Sequence, residues 1–141
     1  MEDFKGHGKA LVAHGNFFTQ GQYYLASYAE TVYMHPMGQL VLQGYGGSQL
    51  YYAELLDKLG VKVHIFRVGT HKAAVEPYSL TGMSEESLEN NQTLVDELWQ
   101  RYVNQVATNR ALNVAEVLSY ANDYPQHLLD VNGQTAQLAM L

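Results

Sequence analysis

The sequence predicts an α/β fold. Three observations carry that expectation: short apolar runs that stop at glycine or proline, helical stripes between them, and one much longer amphipathic stretch in the C-terminal half. The 141 residues suit a single domain, 1–141, with a modest core.

The elements follow in order. "KALVAHG" (9–15) is a short apolar run closed by glycine, so a buried strand is expected. In "QGQYYLASYAE" (20–30), Tyr24, Leu25, Tyr28 and Ala29 fall at helical spacing. "TVYMHP" (31–36) and "QLVLQG" (39–44) read as two strands divided by Pro36 and Gly38. "SQLYYAELLDKLG" (48–60) reads as a helix capped by Ser48, striped by Leu55, Leu56 and Leu59, and closed by Gly60. "VKVHIFRV" (61–68) alternates Val61, Val63 and Ile65 with Lys62 and His64, as a half-buried strand does.

The longest helix is expected over about 84–109. Ser84 is its cap, Glu85 and Glu86 sit where the helix dipole favours anions, and Val95, Leu98, Trp99, Tyr102, Val103 and Val106 share one face. "NVAE" (113–116) starts a further helix with Asn113 at the cap and Glu116 reaching back. "GQTAQLAML" (133–141) begins like a helix and is still apolar at its end, which gives the expectation of a fragment of something longer.

Composition excludes several function classes. Hydrophobic residues make up 47% and charged residues 16%, too apolar for a disordered chain. The net charge of −6, with no run of lysine or arginine, argues against a nucleic-acid surface. Cysteine is absent, so no thiolate can serve as nucleophile or metal ligand. No apolar run approaches a membrane span, and the first residues lack a signal-peptide core. The 11 tyrosines against 4 phenylalanines suit half-buried edges of helices and strands first, and a binding surface second.

Few patterns carry chemistry. His64 and His71, like His7 and His14, are spaced unlike any compact metal-ligand motif, and neither a metal nor a cofactor is expected. No serine sits in a nucleophile elbow, and "GYGGSQ" (44–49) reads as a tight turn. Lys72 remains, in "FRVGTHKAAVEP" (66–77), where a strand has ended and alanines and a valine follow. An ordinary lysine has a pKa of about 10.4, and a lysine base needs about 7–8, a difference worth roughly 4 kcal/mol against the ammonium. Gly69, Thr70, Ala73, Ala74 and Val75 offer neighbours that could desolvate it. Glu76 would oppose this by stabilising the ammonium, although Pro77 biases Glu76 away from helical geometry. Taken alone, the residues favour a solvated lysine at a strand end.

Three stretches, "TQGQYYLASYAETVYMHPMGQLVLQGYG", "LYYAELLDKLGVKVHIFRVGTHKAAVEP" and "DELWQRYVNQVATNR", together resemble the amino-terminal half of the long-form signal peptide peptidase A (protease IV) family. The likeness runs from about Gly8 to Leu141, and "FRVGTHKAAVEP" and "QGQYYLAS" are its most specific parts. The resemblance implies a ClpP/crotonase-like fold of repeated strand–strand–helix units. It also implies a serine endopeptidase on the periplasmic side of the bacterial inner membrane that degrades cleaved, apolar signal peptides, with homo-oligomers expected. The family's dyad is split, with lysine from one half and serine from the other. Its G-x-x-K setting falls on Gly69 and Lys72, which makes Lys72 the implied general base.

Where the nucleophile-bearing half of the family has Ser-Gly-Gly-Tyr, this chain reads "QGQY", so Gln20 replaces the serine. The partner is then the serine-bearing half, and this chain alone is expected to be inactive. The charged residues that many members carry before Met-Ser are absent from "YSLTGMS" (78–84). A non-catalytic assembly module of the same fold is the rival expectation. A CoA-binding crotonase function rests on fold analogy alone.

Overall fold

The computed structural model describes residues 1–66 and 73–139. In chain order its elements are α1 (Glu2–Gly6), β1 (Val12–Gly15), α2 (Gln20–Ala26), β2 (Thr31–Met34), α3 (Ala53–Lys58), a 3-10 turn (Ala73–Val75), α4 (Glu76–Ser79), α5 (Glu85–Arg110), α6 (Val114–Asn122), α7 (Tyr124–Asp130) and α8 (Thr135–Leu138). The chain is thus mixed α/β with its longest helix in the C-terminal half. It divides into two compact units. One comprises Met1–Gly44 and the described residues from Trp99 onward, the other the described residues of Tyr45–Leu98.

In the first unit β1 and β2 pair in parallel, from Val12 opposite Thr31 to Gly15 opposite Met34, with α2 between them in the chain. Beyond the pair, Phe18 bridges Leu40. Gly38 must lack a side chain, because a Cβ there would collide with the Asn16 carbonyl and Met34 Cγ. The core gathers Phe18, Ala26, Leu40 and Leu42 against Tyr102, Val103, Val106 and Ala107 of α5 and Val117 of α6. Thr19 caps α2 reciprocally: its Oγ1 accepts from Gln22 N at 3.4 Å, and its own N donates to Gln22 Oε1 at 2.9 Å. Thr19→Ala should therefore lower stability by about 1 kcal/mol, read as a shift in denaturant midpoint at constant slope.

In the second unit Gly60 closes α3 in the left-handed region, at φ +70, where it costs least. Its N–H donates to Asp57 O at 2.9 Å, and Val61 N donates to Leu56 O at 2.8 Å. Ser84 caps α5, its Oγ accepting from Ser87 N at 3.2 Å, and Glu85 and Glu86 lie in the first turn as expected.

Several expectations need correction. Residues 39–44 form no strand beyond the Leu40 bridge: Leu40 and Leu42 turn into the core without a hydrogen-bonded ladder. The helix expected over 48–60 starts at Ala53, with Tyr52 rather than Ser48 at its cap position. Residues 61–66 form no strand and leave Val61 and Val63 exposed, while Arg67 and Val68 lie outside the described residues. The helix expected over 20–30 ends at Ala26, and the one expected from 133 covers Thr135–Leu138. Glu76, expected to be non-helical before Pro77, opens α4, because proline is tolerated in a first helical turn. The stripe along α5 is buried only at its C-terminal end: Val103 is 0% exposed, whereas Leu98 is 44% exposed. Among the described residues, α1 and α7 add helices with no strong sequence period.

Candidate functional site

Gln20 and Lys72 are the positions singled out by sequence. Gln20 is the first residue of α2. Its Oε1 accepts from two successive main-chain amides, Gln43 N at 3.0 Å and Gly44 N at 2.9 Å, and its Nε2 donates to Gly44 O at 3.1 Å. Both ends of the carboxamide are thus committed to the backbone of a turn that Gly44 makes at φ +74. The Tyr102 hydroxyl donates to Gln20 O at 3.0 Å from α5. A carboxamide so held has no nucleophilic oxygen to offer, and it works as a clamp.

Lys72, with Gly69 and Thr70 before it, lies outside the described residues. Ala73 and Ala74 are exposed, Val75 is half-buried, and Phe66 is 97% exposed.

The next residue, Glu76, is the unexpected feature. It is buried, at 7% exposure. Its Oε1 accepts from the hydroxyls of Ser84 and Ser87, each at 2.7 Å, and its Oε2 from Ser84 N at 3.3 Å. A carboxylate at the first turn of a 26-residue helix also meets the positive end of the helix dipole. The following residue is tied as well, since Tyr52 N donates to Pro77 O at 2.6 Å. These groups border a cleft of ≈ 440 Å³ whose walls include Tyr51, Tyr52, Tyr78, Ser87 and Asn91. Tyr52 and Tyr78 stack there with ring centroids 6.1 Å apart. Sequence reasoning treated Glu76 only as a threat to the lysine. Its serine partners stand eight and eleven residues away, and the Ser-x-x-Ser that opens α5 was the available signal for them.

A second, apolar cavity of ≈ 240 Å³ lies in the first unit among Leu40, Leu42, Val106 and Val117. Tyr120 spends its proton on Leu40 O at 2.7 Å, and burial pushes its phenol well above the ordinary value, so it stays a donor. Ser119 Oγ lies 3.0 Å from His127 Nε2 and donates to Asp123 Oδ2 at 3.2 Å. This is not a triad, because the aspartate takes the serine's proton instead of orienting the imidazole.

Among the described residues no cluster of histidine and carboxylate could hold a metal ion, and no helix is long and apolar enough to cross a membrane. His7 donates from Nδ1 to Asp3 O at 2.7 Å, and His71 lies outside the described residues.

Comparison with known proteins finds that the family model described as peptidase family S49 matches residues 3–140. Protease 4 of Salmonella typhi is 41% identical over 140 residues, covering 99% of this chain and 23% of that protein. Protease 4 of Haemophilus influenzae is 40% identical over 139 residues, with the same coverage of 99% and 23%. The chloroplastic serine protease SPPA of Arabidopsis thaliana is 22% identical over 120 residues, 85% of this chain and 18% of that protein. The chain therefore spans less than a quarter of the length of these relatives.

Proposed function

The chain belongs to peptidase family S49, and from this premise we propose that it is the lysine-supplying part of a serine endopeptidase that degrades cleaved signal peptides. The observation that carries the proposal is the family match over 3–140 together with the 40–41% identity to two proteins named Protease 4. In this reading the intact protein is membrane-associated on the periplasmic side of a bacterial inner membrane, assembles as an oligomer, and builds on a ClpP/crotonase-like fold of repeated strand–strand–helix units.

The mechanism divides between two segments. A serine from another part of the protein attacks the scissile carbonyl, neutral Lys72 takes the hydroxyl proton, and main-chain amides stabilise the oxyanion. The substrate binds extended, with apolar side chains in pockets. In this reading the serine-bearing part completes the apolar wall that keeps the Lys72 amine uncharged. Gln20 supports this division, since the residue at the nucleophile's place is a glutamine committed to three main-chain hydrogen bonds.

The test is turnover by the isolated segment. Incubated with a chromogenic apolar peptide ester, the 141-residue chain should give no hydrolysis above buffer, and the intact protein should turn over. Hydrolysis by the isolated chain would mean that it holds a nucleophile of its own and would contradict the split site.

A further inference from the structure

Arg110 closes α5, and among the described residues its guanidinium has no carboxylate partner. Its Nη1 donates to Ala29 O at 3.1 Å. The Tyr23 hydroxyl lies beside the same group: burial raises that phenol, while the charge and hydrogen bond of Arg110 draw it back down. A guanidinium carries five N–H donors, more than these two neighbours use. What its planar fork fits best is a carboxylate, held by two parallel hydrogen bonds.

Arg110 borders a groove of ≈ 660 Å³ in the first unit, together with Val32, Tyr33 and Met34. Side chains alternate along a strand, so three successive residues on one groove place it along the edge of β2 and not over one face. Among the described residues β2 pairs with β1 alone, which leaves that edge without a ladder. Leu40 and Leu112 give the groove its apolar wall. Ala29, which Arg110 grips, lies two residues before Thr31, so the cation stands at the N-terminal end of the edge. From Thr31 to Pro36 the edge runs about 17 Å, enough for four or five extended residues.

We infer that this groove binds the free C-terminus of a cleaved apolar peptide, which adds as an antiparallel strand along β2 with its carboxylate on Arg110. The main chain of β2 supplies hydrogen bonds blind to sequence, and the apolar wall takes alternate side chains. The choice of a peptide rests on the reading of the protein as a peptidase of cleaved signal peptides. Cleavage creates the carboxylate, so the groove distinguishes a released peptide from the same sequence still joined to a protein.

The experiment measures binding to the intact protein carrying Lys72→Ala, by fluorescence anisotropy extrapolated to zero time. The probes are a dye-labelled apolar pentapeptide with a free C-terminal acid and its C-terminal amide. The acid should bind at least about 10-fold more tightly, as charge-assisted hydrogen bonds require. Adding Arg110→Gln, which keeps a donor for Ala29 O, should bring the acid to the Kd of the amide and leave the amide unchanged. Arg110→Lys, a point charge without the fork, should fall between. Octanoate has the carboxylate without a main chain and should compete poorly.

Equal affinity for acid and amide would overturn the inference, as would a preference that survives Arg110→Gln. Octanoate competing as well as the peptide acid would overturn strand addition. If Arg110→Gln does not fold, hydrogen exchange decides without it. Saturating peptide acid should slow exchange over Thr31–Met34, and unchanged exchange there would overturn the placement on β2. The two readings fail separately: cleavage of the probe by Lys72→Ala counts against the base, whereas equal affinities beside an inactive Lys72→Ala remove only the carboxylate site.

Discussion

Lys72→Ala in the intact protein is expected to abolish peptide turnover while leaving unfolding cooperative. A positioned general base contributes about 10²–10⁴-fold, and a nucleophile paired with its base acts as a unit, so losing either member costs nearly the whole effect. Alanine leaves the partner serine a hydroxyl with no proton acceptor. Lys72→Arg should be equally inactive despite its similar length, because a guanidinium stays protonated and cannot accept the proton. Steady-state kinetics on both variants, with thermal unfolding to verify the fold, is the measurement. Turnover within an order of magnitude of wild type would remove Lys72 from the mechanism.

The largest effect on stability is expected at Tyr102. Its ring is 3% exposed, stacks on Trp99 with centroids 5.4 Å apart, and lies 5.6 Å from the Tyr24 ring. Its hydroxyl reaches Gln20 O at 3.0 Å, at the start of α2. Tyr102→Ala removes the ring volume from the centre of the first unit's core and should cost about 3–5 kcal/mol. Tyr102→Phe keeps the ring, loses the hydrogen bond to Gln20 O, and should cost about 1 kcal/mol. Denaturant unfolding of the two variants compares these costs directly. Equal losses would mean that the hydroxyl, and not ring packing, holds α5 against α2.

Local signals in the sequence proved the most legible. Asn113 and Glu116 mark the start of α6 because the contact is made within one turn, with Asn113 N donating to Glu116 Oε2 at 2.6 Å. Ser84 and Gly60 mark helix ends for the same reason. Non-local pairing was not legible. Leu40 and Leu42 alternate as a strand would, but the alternation records burial, and a ladder needs a partner that the local pattern cannot specify. Val61 and Val63 carry the same pattern and stay exposed.

The site divides the same way. Lys72 stands out only through family resemblance, since the residues alone describe a solvated lysine. The clamp made by Gln20 and the burial of Glu76 depend on partners 8 to 24 residues away, and no period or spacing announces them.

The central claim is that Lys72 carries an uncharged amine in the assembled enzyme, and its titration is the most direct test. In intact protein with reductively ¹³C-methylated lysines, assigned by Lys72→Arg, the Lys72 resonance should titrate at about 7–8, as a lysine base requires. A midpoint near the ordinary value of about 10.4 would contradict the account, because the amine would then be an ammonium where a base is needed.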